Sequence, residues 1–133
     1  MGDFRRVTDE FWVSPQVSVE DVAAARAQGF TRIINNRPDG ESPDQPSSSQ
    51  IEAAAHAAGL DYVFAPVSGR PGPEAVGAVR DATHGSSGKT LAYCRSGTRS
   101  IVTWALGHAS DRDREELIRL GASAGYDLRA VLS

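Results

Sequence analysis

The residues best suited to chemistry are a cysteine and an arginine five positions after it, Cys94 and Arg99, in the segment Cys-Arg-Ser-Gly-Thr-Arg-Ser. The apolar run at 90–93 predicts a strand before the cysteine, and residues 101–109 predict a helix after it. A strand–loop–helix turn directs free backbone N–H groups and the positive end of the helix dipole into the loop. We therefore expect a readily ionised thiol and an anion cradle in one place, with Arg99 making a two-pronged contact.

An inert, buried side chain is the common alternative for a single cysteine. The arginines at 95 and 99 argue against it here, because burying two guanidinium groups is costly. If the loop binds an anion, we expect Ser96, Gly97 and Thr98 to supply backbone donors, and Gly97 to allow a close backbone approach.

Two further loop residues have open roles. Arg95 either draws an anionic substrate toward the loop or is a solvated surface charge. Ser100 either donates a hydroxyl hydrogen bond to the Cys94 thiolate or caps the following helix, since serine is common at helix N-termini.

Composition places limits on the protein's partners. The chain of 133 residues, with 40% apolar and 23% charged residues, predicts one domain over residues 1–133. A net charge of −3 without a basic stripe argues against nucleic acid, and no apolar run approaches membrane-spanning length. A single cysteine and an N-terminal segment (1–6) without an apolar stretch are typical of the cytoplasm.

Metal binding is not expected from the sequence. The histidines, His56, His84 and His108, are scattered along the chain, and none has a cysteine or carboxylate at the spacing of a known ligand set. We therefore predict no metal and no cofactor.

Strands and helices alternate along the chain. Apolar and β-branched runs predict four strands, and capping residues and glycines delimit five helices. The predicted strands are 11–13, 30–35, 62–67 and 90–93, and the predicted helices are 19–28, 50–58, 74–84, 101–109 and 114–123. This order predicts a three-layer α/β domain with a four-stranded, mainly parallel sheet and the Cys94 strand at its centre.

Two loops should meet the cysteine at one edge of that sheet, because open α/β sheets bind ligands at the carboxyl ends of their strands. The first, at 36–49, contains Arg37, Asp39 and Glu41, and Arg37 could equally pair with either carboxylate and simply hold the loop. The second follows the third strand and contains Ser68 and Arg70. We regard these five residues as possible accessory groups.

The chain also resembles known families. Residues 94–99 resemble the active-site loop of rhodanese-type sulfurtransferases, and they are close to the cysteine–arginine loop of tyrosine and dual-specificity phosphatases. The flanking pieces extend the likeness from Phe11 to about Leu128, and the whole is similar to the phosphatase-like domain of beta-lactamase-hydrolase-like proteins. These pieces are Trp12-Val13-Ser14, Gly29-Phe30, Asn36-Arg37-Pro38-Asp39-Gly40-Glu41 and Gly59-Leu60. The resemblance implies a tyrosine/dual-specificity-phosphatase-like fold.

Sulfur transfer is the function that the loop spacing favours. Four residues separate Cys94 from Arg99, as in rhodaneses, whereas the phosphatases have five. The resemblance also places a phosphatase's general-acid aspartate after the third strand, where this chain has Ser68-Gly69 and no carboxylate before Glu74. We therefore predict a rhodanese-like sulfurtransferase that forms a Cys94 persulfide from thiosulfate or another sulfane donor.

Two alternatives remain open. The first is a tyrosine- or dual-specificity-type phosphatase, a hydrolase that acts on phosphoesters through a Cys94 phosphocysteine, with Asp39 or Glu41 as a substitute acid. The second is a weakly catalytic module that binds phosphate or sulfate groups.

Overall fold

A five-stranded sheet lies at the centre of the protein, in a computed structural model that describes residues 3–85 and 88–132. The strands are β1 (Arg5–Arg6), β2 (Phe11–Ser14), β3 (Phe30–Asn35), β4 (Asp61–Phe64) and β5 (Lys89–Tyr93). Their spatial order is β1-β2-β5-β3-β4, in which β1 is antiparallel to β2 and the other neighbours are parallel. The predicted central position of the Cys94 strand is confirmed.

The prediction of four strands was one too few. The missed strand, β1, consists of two arginines at the edge of the sheet and has no apolar alternation that a sequence pattern could detect. The predicted domain (1–133) includes Met1, Gly2, Ser86, Ser87 and Ser133, and the predicted N-terminal segment (1–6) includes the first two; these five residues lie outside the described residues.

Among the described residues, five helices flank the sheet, as predicted, with small shifts at their ends. They are α1 (Val19–Ala27), α2 (Ser48–Ala57), α3 (Pro73–Thr83), α4 (Thr98–Gly107) and α5 (Arg114–Ser123). The largest shift is in α4, which begins three residues before the predicted start because Gly97, at φ +92°, lets the loop turn directly into the helix. Across residues 3–85 and 88–132, every helix is too short or too polar to cross a membrane.

Two apolar cores lie on opposite faces of the sheet. One contains residues from α1 and α2, including Val22 and Ile51, and the other contains residues from α3, α4 and α5. The alternation of the central strand separates them, because Leu91 packs in the first core and Ala92 in the second. The sheet is therefore covered on both sides, which confirms the three-layer prediction.

The strand register brings the ends of neighbouring strands to one level. Asn35, the last residue of β3, lies opposite Tyr93 of β5 and Phe64 of β4, and Ser14 of β2 also lies opposite Tyr93. The segments that follow β2, β3, β4 and β5 therefore leave the sheet at the same edge. This edge is where the chain places Cys94.

Replacing Ser18 by Ala should weaken α1 without altering the site. The Ser18 hydroxyl accepts the Asp21 N–H at 3.0 Å, and the Asp21 carboxylate accepts the Ser18 N–H at 2.9 Å, which forms a reciprocal cap. We expect Ser18→Ala to lower the free energy of unfolding by about 1 kcal/mol in urea denaturation. Ser49→Ala, on the exposed side of α2, is the matched control and should cost less. An equal effect of the two substitutions would contradict the capping role.

Candidate active site

Cys94 lies directly after the last residue of the central strand β5. Its side chain is buried, yet neither apolar core of the described residues includes it. Its Sγ instead accepts the backbone N–H of Gly97 at 3.1 Å. The N-terminus of α4 begins at the next residue, so its dipole adds positive potential at the sulfur. The thiol is thus hydrogen-bonded by its own loop.

Arg99 lies in the first turn of α4 and crosses to two other loops. Its guanidinium donates to both carboxylate oxygens of Glu41, at 2.7 and 2.8 Å, and to the carbonyl of Val67 at 2.7 Å. The Glu41 hydrogen bonds are the largest cause of the raised pKa of Arg99, and the nearby Cys94 raises it further. The guanidinium is therefore bound by Glu41 and lies near enough to Cys94 for the two groups to interact, and its side chain remains 21% exposed.

Glu41 is held by a second arginine. The nearly buried Arg37 donates from Nε to Glu41 at 3.0 Å and from a terminal nitrogen to Gln16 at 2.9 Å. Hydrogen bonds from Arg99, then from Arg37, lower the pKa of Glu41 to about 2. Glu41 is therefore a carboxylate at neutral pH and has no proton to give. This argues against Glu41 as the substitute acid, and the role of Asp39 stays a prediction.

The remaining accessory residues lie around this centre. Asp39 is exposed, and its carboxylate accepts the Ser48 N–H at 2.7 Å, so it holds the start of α2. Ser68 and Arg70 are exposed in the loop after β4. Arg70 lines a pocket of about 310 Å³ beside Arg99. The other lining residues are Gly69, Pro71, Thr98, Val102, Leu106, Ala130 and Val131.

Within the cysteine loop, Arg95, Ser96 and Thr98 are exposed, and the Ser96 hydroxyl donates to that of Thr98 at 3.0 Å. Ser100 is fully buried, and its hydroxyl has no hydrogen-bond partner among the described residues. The predicted capping alternative for Ser100 is wrong, because the N-cap position of α4 is taken by Gly97. The predicted hydrogen bond from Ser100 to the sulfur is not formed in this structure.

Tyr126 is a contact of the loop that the sequence did not reveal. Its hydroxyl donates to the Ser96 carbonyl at 2.9 Å, and a Cβ placed on Gly97 would lie 2.2 Å from the Tyr126 oxygen. Burial is the main cause of the raised pKa of Tyr126, and the nearby Cys94 also raises it. Tyr126 lies in the short tail that follows α5. No spacing or motif indicates that this tail reaches the cysteine loop.

Three possible metal ligands that are scattered in the sequence lie close together in the structure. The fold brings His84 and His108 together with Asp111, so that one ligand atom of each lies within 4.8 Å of the others. These residues lie at the C-terminal ends of α3 and α4, away from the cysteine loop. Sequence spacing could not show this, because His84 and His108 are neighbours only through the packing of two helices.

Comparison with known sequences gives consistent matches. The family described as "Beta-lactamase hydrolase-like protein, phosphatase-like domain" matches residues 3–111. A beta-lactamase hydrolase-like protein of Agrobacterium fabrum is 39% identical over 129 residues, which are 95% of this chain and 30% of that protein. A protein of the same name from Xylella fastidiosa is 38% identical over 94% of the chain. The chain spans about 30% of the length of these curated relatives.

The solved structures that are similar to this chain include proteins named as phosphatases. A Neisseria meningitidis protein named as a candidate phosphatase has a TM-score of 0.81 and 30% identity, over 96% of this chain and 92% of that chain. Tk-PTP in its active form has a TM-score of 0.72 at 16% identity, over 97% and 90% of the two chains. Pseudomonas aeruginosa TpbA, bound to phosphotyrosine, has a TM-score of 0.64 at 12% identity, over 98% and 75%.

The last two neighbours share the fold and confirm the tyrosine/dual-specificity-phosphatase-like prediction. The sequence and structural matches together favour the phosphatase alternative over the predicted sulfurtransferase.

Replacing Gly97 by Ala should be more damaging than the same change at Gly29. Both glycines have φ +92°, but a Cβ at Gly29 meets open space, whereas at Gly97 it meets the Tyr126 hydroxyl. We expect Gly29→Ala to lower the free energy of unfolding by about 1–3 kcal/mol and Gly97→Ala by clearly more, in urea denaturation. The excess should shrink in a Tyr126→Phe background. Equal losses at the two glycines would show that Tyr126 does not constrain the loop.

The Glu41–Arg99 pair should give stability that disappears in acid. Because the folded pKa of Glu41, about 2, lies below its usual 4.5, the stabilisation is complete above pH 4.5 and is lost as pH falls toward 2. We expect Glu41→Gln to lower the free energy of unfolding more at pH 7 than at pH 3, measured by urea denaturation. In an Arg99→Met background this pH dependence should weaken. The pairing would be refuted if the difference in free energy of unfolding between Glu41→Gln and the parent were the same at both pH values.

Proposed function

Because the chain belongs to the phosphatase-like domain family of beta-lactamase hydrolase-like proteins, we propose that it is a cysteine-dependent phosphatase. It hydrolyses phosphoesters through a phosphocysteine on Cys94. The observation that carries the proposal is the position of the sulfur, which accepts the Gly97 N–H with the Arg99 guanidinium beside it.

The reaction takes two displacements at phosphorus. In the first, the Cys94 thiolate forms a sulfur–phosphorus bond while the ester oxygen–phosphorus bond breaks, and the departing oxygen takes a proton from water. In the second, water attacks the phosphocysteine, the sulfur–phosphorus bond breaks, and inorganic phosphate leaves with the thiolate restored. Loop amides and Arg99 stabilise the charge on the phosphoryl oxygens in both steps.

Glu41 acts in this proposal as a positioning residue. It binds two nitrogens of Arg99, and Arg37 fixes Glu41 in turn, so the guanidinium is aligned before substrate arrives. Such prior alignment removes part of the entropic cost of reaching the transition state. The planar, forked geometry of Arg99 is needed for this, because a lysine ammonium offers no equivalent pair of donors.

The lack of an obvious proton donor points to the class of substrate. The loop after β4 has no carboxylate before Glu74, and Glu41 is ionised by its arginine partners. A phosphoester whose leaving group needs little protonation, such as an aryl phosphate, is least affected by this lack. The pocket beside Arg99, with Val102 and Leu106 on its wall, offers apolar surface for an aromatic ring. The phosphotyrosine bound by the TpbA neighbour supports this substrate class.

Sulfur transfer remains a second candidate on one observation, the four-residue spacing between Cys94 and Arg99. A shorter loop encloses less space above the sulfur, and the cysteine is fully buried in this structure. A single sulfane sulfur occupies less room there than a tetrahedral phosphoryl group.

The two chemistries are separated by assaying p-nitrophenyl phosphate hydrolysis and thiosulfate:cyanide transfer on the same protein. We expect phosphate release that falls at least about 10³-fold in Cys94→Ser and about 10²-fold or more in Arg99→Lys. An alkyl phosphate should be a poorer substrate than the aryl phosphate by a wider margin than in phosphatases with a general acid. Ser49→Ala, a substitution outside the site, is the control and should keep the activity of the parent protein.

Cys94-dependent thiocyanate formation without phosphate release would overturn the proposal in favour of sulfur transfer. Phosphate binding with neither activity would favour the weakly catalytic binding module.

A further inference from the structure

A second cluster of reactive side chains lies at the opposite end of α4 from the cysteine loop. Thr98 begins this helix beside the loop, and His108 follows its last residue, so the two ends are separated by roughly 15 Å. Here His84, His108 and Asp111 each place one possible metal ligand atom within 4.8 Å of the others. The function proposed above does not use any of them.

The two ring nitrogens of His108 have the kinds of neighbours that are common for a metal-binding histidine. It is nearly buried, and its Nδ1 lies 3.1 Å from a carboxylate oxygen of Asp111. Two ligands bound to one zinc ion at 2.0–2.1 Å in a tetrahedral arrangement lie about 3.3 Å apart, so the separation of this pair already matches that of two ligands on one ion. His84 is exposed, next to Gly85, so no core packing opposes a rotation of its side chain toward this pair.

The hydrogen bonds on the other side of the His108 ring determine which nitrogen is available. The Thr83 hydroxyl donates its one proton to the Val79 carbonyl at 2.7 Å, and its oxygen lies 2.8 Å from His108 Nε2. Thr83 therefore accepts from Nε2–H, and Nδ1 points at an Asp111 oxygen that can only accept, so a cation bound there would take the place of the proton between them. A histidine that donates one ring N–H to a fixed acceptor and presents the other nitrogen is the usual arrangement at metal sites.

The backbone around the cluster also favours a cation. His84 is the C-cap of α3 and His108 is the C-cap of α4, so the negative ends of two helix dipoles meet there. The positive charge of Arg80 offsets part of this negative potential, since Arg80 donates to the Gly107 carbonyl at 2.6 Å and to Asp111 Oδ1 at 2.5 Å. It leaves the other carboxylate oxygen, the one that faces His108, available to an ion.

We propose that His84, His108 and Asp111 form a binding site for a divalent cation of the zinc class. Two imidazole nitrogens and one carboxylate oxygen are a donor set that suits Zn²⁺, with water completing the coordination. The ion joins the C-terminal ends of α3 and α4 and stabilises their packing. It takes no part in the chemistry at Cys94.

The test is a calorimetric titration of Zn²⁺ into tag-free, chelator-treated Cys94→Ser protein, in which the thiol cannot contribute a ligand. We expect one equivalent to bind and the midpoint of thermal unfolding to rise by a few degrees at saturation. His84→Ala and Asp111→Asn should each weaken binding about 10-fold or more. His56→Ala, which changes an exposed histidine of α2 outside the cluster, should leave the affinity unchanged.

Titration with Co²⁺ adds a spectroscopic readout, because nitrogen and oxygen ligands in a low-symmetry site give visible absorption bands that the His84→Ala protein should lack. His84→Ala made with Cys94 intact should retain full activity toward p-nitrophenyl phosphate. The proposal fails if the Cys94→Ser protein binds no Zn²⁺ up to about 100 μM. It also fails if His84→Ala binds as tightly as its parent, and that exposed residue can be changed without disturbing a core.

Discussion

The guanidinium of Arg99 joins three segments that leave the same edge of the sheet. It belongs to α4, binds Glu41 from the loop after β3, and binds the Val67 carbonyl from the loop after β4. The level strand ends bring those loops within reach, and Arg37 anchors Glu41 from the other side. This ion pair therefore helps to hold the two loops against the cysteine loop.

The same pair links the geometry of the site to its chemistry. An arginine that binds a phosphoryl group must be held in one orientation, and a carboxylate with two hydrogen bonds achieves this at neutral pH. The arrangement has a chemical cost, since a carboxylate held by two arginines has no proton to offer a leaving group. The substrate preference that we propose follows from this division of roles.

Much of the fold could be predicted, because its strongest signals are local. Ser18 and Gly29 delimit α1. The apolar pair Ile33-Ile34 in β3 indicates a strand covered on both faces, and both side chains are buried. The two-residue strand β1 has no such signal, since its pairing with β2 is decided by tertiary structure. Cysteine, loop and arginine could be placed together from sequence order alone.

The features that could not be predicted depend on which parts of the folded chain pack against one another. The choice of Glu41 over Asp39 as the partner of Arg99 rests on the exact path of a long loop, in which both residues have similar chemistry. His84 and His108 meet because α3 packs on α4, and no spacing records that. The loop spacing also favoured sulfur transfer, because a one-residue difference in length is visible in a sequence whereas the shape of the whole domain is not.

The contact of Tyr126 with Ser96 has a consequence for how the protein is made. The hydroxyl that fastens the cysteine loop comes from 30 residues further along the chain, outside the part matched by the family. The ribosome therefore synthesises Cys94, Arg99 and the strands β1–β5 before it synthesises Tyr126, whose hydroxyl holds the cysteine loop. During synthesis, the anion cradle stays unfinished until the segment that contains Tyr126 has emerged and docked.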